Sequence, residues 1–158
     1  MKKAALVLCM SIFGLMAFTT PPADKYKCLV QLKNYEGEGA YVVVSLLDEK
    51  GEYVETLQVM GDDPEWYKDI TQWYAHFQQK EEKIDGITGA TISGGQRAIK
   101  VIEIPSDKID AGYSIRFETA VEDQEYHASD LQFELNAANL KAKQEGTGYI
   151  RYVRMLKQ

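Results

Sequence analysis

The stretch Gly112-Tyr113-Ser114-Ile115-Arg116-Phe117-Glu118-Thr119-Ala120-Val121 decides the fold class. Strict alternation places Tyr113, Ile115, Phe117, Thr119 and Val121 on one face, and Ser114, Arg116, Glu118 and Ala120 on the other. A period of two belongs to a strand, because successive side chains point to opposite sides of a pleated chain. Leu131 to Leu135 repeats that period, and Tyr149 to Leu156 closes the chain in the same style. Upstream, Lys27 to Lys33 alternates weakly and Ala98 to Ile104 reads as a further strand. Tyr41 to Leu47 is a continuous β-branched and apolar run, expected to be buried on both faces. The turn Asp48-Glu49-Lys50-Gly51 joins it to Tyr53–Val59 as a hairpin.

One segment changes period. Gly61-Asp62-Asp63-Pro64 supplies an N-cap carboxylate and a proline suited to a helix start. From Glu65 to Gln79, Trp66, Ile70, Trp73, Tyr74 and Phe77 recur at three- and four-residue steps, one face of an amphipathic helix. His76 falls off that stripe and is expected at the surface. Lys80 to Gly95 reads as a polar, glycine-containing loop. Strands are not interleaved with helices, which disfavours a doubly wound α/β fold. The expected architecture is mainly β: an antiparallel, immunoglobulin-like β-sandwich with one inserted amphipathic helix.

The N-terminus sets the compartment. Lys2 and Lys3 precede an uncharged, mostly apolar run from Ala4 to Phe18, and Thr19-Thr20-Pro21-Pro22-Ala23 follows before charge resumes at Asp24. This is the pattern of a secretory signal, and the run is shorter than the ~20 residues that span a bilayer. Residues 1–23 are therefore expected to be a signal peptide and 24–158 a single domain, exported to the periplasm or cell surface. Leu8 is too bulky for Cys9 to be a lipid-attachment site, so Cys9 reads as part of the signal core. Cys28 then stands alone, which rules out an internal disulfide and suggests a small buried hydrophobe. His76 and His127 are far apart and lack the spacing of a metal site, so no metal is expected. Net charge is −6, and −8 once Lys2 and Lys3 are removed, too acidic for nucleic-acid binding.

The chemistry-bearing segment is Asp85-Gly86-Ile87-Thr88-Gly89-Ala90-Thr91-Ile92-Ser93-Gly94-Gly95. Its residues are small, several carry hydroxyls, and its glycines let another molecule approach the backbone. Read from composition alone it is equally a flexible connection. Asp85, two free positions, Thr88, Gly89, Ala90 and Thr91 resemble the acceptor motif of periplasmic FAD:protein FMN transferases, which leave FMN on the final hydroxyl through a phosphodiester. Flavin-carrying subunits of the sodium-pumping NADH:quinone reductase and of Rnf complexes bear this motif on a different domain, so only the chemistry carries over. Residues 41–135 resemble a family of predicted periplasmic proteins with this motif after a Trp/Tyr-containing helix. Those relatives have a Trp-Asp pair shortly after the motif, where this chain has Ile104-Pro105-Ser106.

The resemblance implies covalent FMN on Thr91, with Asp85 read by the transferase or helping to position the magnesium-bound phosphate there. Gly89 and Ala90 keep the approach narrow, and Thr88 and Ser93 are alternative hydroxyls, the motif's final position selecting Thr91. Trp66 and Trp73, with Tyr67, Tyr74 and Phe77, are candidate neighbours of the flavin ring. The implied role is an extracytoplasmic electron carrier, fed by a membrane electron-transfer protein and docking on basic partners. Two alternatives stay open: an exported binding module with a fortuitous motif, and a flavoenzyme acting directly on a small molecule. For the latter, no constellation near the motif reads as a proton donor or substrate clamp.

Overall fold

The computed structural model describes residues 22–158, so the expected signal segment lies outside the described residues except for Pro22 and Ala23. Ala23 already opens the first strand, β1 (Ala23–Leu32), which starts earlier than the alternation from Lys27 suggests. The hairpin follows as β2 (Tyr41–Leu47) and β3 (Tyr53–Met60). A 3-10 segment (Pro64–Asp69) and α1 (Thr71–Lys80) come next, then the two-residue β4 (Thr88–Gly89). β5 (Arg97–Pro105), β6 (Ser114–Ala120) and β7 (His127–Glu134) precede a short α2 (Ala137–Lys141). β8 (Lys143–Glu145) and β9 (Ile150–Lys157) end the chain.

Two sheets form the expected sandwich, with strand orders β5-β1-β9-β8 and β4-β3-β2-β6-β7. Every pairing is antiparallel except β3 with β4, so the second sheet is mixed. Tyr26, Cys28, Val30, Ile102, Ile104, Val153 and Met155 of the first sheet meet Val42, Val44, Leu46, Met60, Ile115 and Phe117 of the second in the main core. Cys28 is fully buried there, and burial pushes its thiol up to about 12, as suits a packing residue.

A second apolar layer lies on the far side of the second sheet. Val43, Val59 and Ala120 pack there against Tyr67, Ile70 and Trp73 of the helical segment. This layer is why β2 is buried on both faces, as its unbroken apolar run anticipates. Among the described residues the first sheet has no such cover.

The single expected helix is instead two pieces with a break at Ile70, whose φ of −91° and ψ of 69° are not helical. Asp63 caps the first piece by accepting from Glu65 N–H. The second piece has no side-chain cap of its own. Its amides are bonded by the sheet: Gln72 N–H donates to Tyr126 Oη at 3.1 Å and Trp73 N–H to Glu118 Oε2 at 3.2 Å. A negative group at a helix N-terminus satisfies amides that have no partner within the helix. Glu118, on the face of β6 opposite Phe117, is thus covered by α1 rather than by water.

Glu118 is fully buried, and it also accepts from Tyr126 Oη at 2.5 Å and Arg116 Nη2 at 2.9 Å. Burial raises its carboxyl pKa above the usual range, and the bond from Tyr126, the Arg116 charge and the Trp73 amide oppose that rise. A raised folded pKa means that the folded state holds the proton more tightly than the unfolded chain. Its stabilising contribution is present below 4.5 and is lost as pH rises through the folded value. Glu118→Gln is therefore expected to flatten the fall in unfolding free energy above pH 4.5, read from urea midpoints of both proteins across that range. Equal slopes would remove Glu118 from the account; Glu55, also raised by burial, contributes the same sign to both.

His76, expected at the surface, is half-buried with its ring stacked on Tyr53 at 4.9 Å. Two further elements, α2 and β8, have too little periodicity to be read from sequence.

Candidate functional site

The segment from Asp85 to Gly95 is not a free loop. Its first part joins the second sheet: Val59 N–H donates to Ile87 O at 2.9 Å, and Gly61 N–H to Gly89 O at 2.5 Å. Its second part forms an isolated bridge with the residue just before β2, Ala40 N–H donating to Ile92 O at 2.8 Å and Ile92 N–H to Ala40 O at 3.0 Å. Tyr35 Oη also donates to Ile92 O at 3.0 Å. The backbone is therefore clamped immediately before and after Ala90 and Thr91. Ala90 is exposed and Thr91 half-exposed at the apex. Among the described residues Thr91 Oγ1 makes no hydrogen bond, so the hydroxyl is held in place yet uncommitted.

Gly39 makes this apex possible. A Cβ at Gly39 would sit 2.2 Å from Thr91 Oγ1, a separation no side chain tolerates. At Gly89 a Cβ would lie 2.5 Å from Lys100 Nζ, the end of a flexible side chain that can move aside. The Lys100 ammonium rests directly against the motif.

Thr91 forms part of the wall of a cleft of about 150 Å³, together with Glu38, Gly39, Tyr41, Trp66, Asp69 and Glu122. Two aromatic and three acidic residues thus line the same space as Thr91. Tyr41 stands edge-on to Tyr67 at 6.3 Å. Burial, and then the Asp63 carboxylate, raise the Tyr41 phenol above its ordinary pKa and keep it neutral.

The helix break divides the expected aromatic set. Trp66, in the 3-10 segment, reaches the Thr91 cleft. Trp73 does not: it is fully buried, donates through Nε1 to Thr56 Oγ1 at 2.9 Å, and stacks on Phe77 at 4.9 Å. Its expected place beside a flavin ring is corrected to a place in the second core. Tyr67 is also buried, donating to Gly61 O at 3.1 Å. Tyr74 and Phe77 line a separate groove with Asp85 and Thr88. Asp85 is exposed, Thr88 Oγ1 reaches only Asp85 O at 3.4 Å, and Ser93 is exposed beyond the Ala40–Ile92 bridge.

Sequence reasoning missed Gly39, Tyr41 and the cleft carboxylates, which lie far from the motif along the chain. Lys100 left a faint signal. It occupies an inward position of β5, in phase with Ile102 and Ile104 and opposite buried Cys28, where a cation is out of pattern.

Fold and apex together define a β-sandwich protein that presents an uncommitted hydroxyl on a clamped, glycine-rich segment beside an aromatic cleft. The chain belongs to the family described as Predicted periplasmic protein (DUF2271), whose model matches residues 23–152. That description places the protein in the periplasm, in keeping with its N-terminal pattern. No helix among the described residues is long and apolar enough to cross a membrane. No curated protein and no solved structure matches the chain.

Proposed function

We propose that the protein is an extracytoplasmic electron carrier bearing FMN joined through a phosphodiester to Thr91 Oγ1. The observation that carries this reading is the unbonded Thr91 hydroxyl, clamped on both sides at the wall of a cleft flanked by Tyr41 and Trp66. In the attachment step Thr91 Oγ1 bonds to the FMN phosphorus of FAD, the phosphoanhydride breaks, AMP leaves and the hydroxyl proton is released. An FAD:protein FMN transferase supplies the FAD site and catalysis; this chain supplies the acceptor. Asp85 and Thr88, exposed or half-exposed on the approach to Thr91, are open to reading by that enzyme.

The residues present fit a tethered flavin better than a free one. Glu38, Asp69 and Glu122 repel an anionic phosphate from the cleft, and a covalent bond overcomes what affinity would not supply. Tyr41 and Trp66 offer flat faces to an aromatic ring system. The cleft is smaller than the ~300–1,000 Å³ of sites that enclose a ligand, so its walls could cover only part of such a group. Bound FMN would supply one- and two-electron exchange. A partly covered group suits exchange with a membrane electron-transfer protein more than chemistry on an enclosed substrate.

Coexpression with an FMN transferase and export of both proteins tests the reading. Intact mass is expected to rise by one FMN less a water, with flavin fluorescence that survives denaturation. An unmodified chain under those conditions would leave an exported binding module as the better description.

A further inference from the structure

The outer face of the β5-β1-β9-β8 sheet mixes exposed aliphatic side chains with cations. Residues that share a row across strands point the same way. Register therefore aligns Ile99 with Leu29, Arg154 and Lys143, and Val101 with Lys27 and Leu156. Arg97, Gln31, Tyr152 and Glu145 form a flanking row, and Glu103 with Lys25 another. The three large aliphatic side chains most exposed among the described residues, Ile99, Val101 and Leu156, all stand on this face at 57%, 49% and 55% exposure. The second sheet spends its outer face on the helical layer; among the described residues nothing packs on this one.

Charge on the face runs against that of the molecule. Five cations, Lys25, Lys27, Arg97, Lys143 and Arg154, share it with two carboxylates. Both carboxylates are already paired, Glu103 with Lys25 at 2.9 Å and Glu145 with Lys143 at 2.7 Å. Among the described residues Lys27, Arg97 and Arg154 have no carboxylate in salt-bridge range. An acidic protein thus gathers cations around its exposed aliphatics on one sheet that no other described element covers. The cleft at Thr91 is lined instead by Glu38, Asp69 and Glu122, so its charge is opposite to that of this face.

We infer that this face docks on the surface of an anionic phospholipid bilayer. Lys27, Arg97 and Arg154 meet lipid phosphates, while Ile99, Val101 and Leu156 enter the boundary between headgroups and acyl chains. Apolar burial and attraction to anionic lipid are the two components of interfacial binding. Tyr152, half-buried beneath the Lys143 ammonium at 5.6 Å, adds an aromatic ring of the kind enriched at such boundaries. An acidic protein partner would use the cations but has no need of three protruding aliphatics among them. The inference is independent of flavin at Thr91.

The full chain, recovered after export, is tested by sedimentation with phosphatidylcholine vesicles with and without phosphatidylglycerol. Binding is expected only with the anionic lipid and is expected to weaken steeply between low and high salt. Lys27→Ala, Arg97→Ala and Arg154→Ala together should lower the partition coefficient about 100-fold, at about fivefold for each cation removed. Ile99→Ser with Val101→Ser should also weaken binding, including at high salt where the charge contribution is screened. Thermal melting of each variant checks that the outer-face changes leave the fold intact, and the salt series on the unaltered chain stands without any variant. Equal partition of the unaltered chain and the triple variant would overturn the inference. So would indifference to lipid charge, or capture of an acidic protein without vesicle binding.

Discussion

Thr91→Val is expected to abolish the flavin adduct while leaving thermal stability unchanged. Valine has nearly the shape of threonine and replaces only the hydroxyl, so the attacking oxygen is lost and little else. Thr91 is half-exposed and its Oγ1 bonds to nothing among the described residues, so the fold should change by about 0.5 kcal/mol or less. Thr91→Ser keeps an alcohol at the same apex and should retain the adduct. Ser93→Ala should also retain it, because Ser93 lies past the clamp formed by Ala40 and Ile92. Intact mass of each variant after coexpression with the transferase decides the matter. An adduct that survives Thr91→Val, or one that disappears with Ser93→Ala alone, would move the site away from Thr91.

The largest effect on stability should come from Asp130→Ala, a loss of about 3–5 kcal/mol. Asp130 is fully buried and accepts from Thr119 Oγ1 at 2.7 Å, Gly148 N–H at 2.7 Å and Ile150 N–H at 2.9 Å. Its backbone carbonyl also accepts from Thr147 N–H at 2.8 Å. One side chain thereby joins β6 and β7 of one sheet to the turn that leads into β9 of the other. Alanine would leave two buried donors and one half-buried donor without partners, and each buried group costs about 1–3 kcal/mol before water or relaxation offsets part of it. Set against a total of about 5–15 kcal/mol, that is a large share of the stability. Thermal and urea unfolding should both show it, with a fall in Tm of about 10–20 °C. Asp130→Asn keeps one acceptor oxygen and should lose less. A loss below about 1 kcal/mol for alanine would mean that the two sheets are held together by the core alone.

The two experiments probe different levels of the same molecule. Asp130 acts on the frame, whereas Thr91 belongs to a short apex that the frame holds still. The clamp on that apex consists of backbone bonds to Gly61 and Ala40, residues outside the motif.

Much of the frame was legible because burial imposes a period on sequence. The alternation from Gly112 to Val121 corresponds to β6, and the unbroken run from Tyr41 to Leu47 to a strand covered on both faces. The break at Ile70 was not legible. The amides of Gln72 and Trp73 find their partners on Tyr126 and Glu118, whose sequence separation of 54 and 45 residues hides the pairing from any local reading. That break is what sends Trp66 to the cleft and Trp73 into the core, although a continuous helix would have aligned them.

Local chemistry alone identified the segment from Asp85 to Thr91 as small, hydroxyl-bearing and unlike its surroundings. It also marked the acidic body and the basic, apolar N-terminus, because composition and short-range pattern carry that information directly. Which hydroxyl stands uncommitted, what lines the space beside it, and which sheet is left bare with its cations and aliphatics were decided only by tertiary structure. The reason is that each depends on strands distant in sequence becoming neighbours, as Ala40 becomes the partner of Ile92 and Lys27 the neighbour of both Val101 and Leu156.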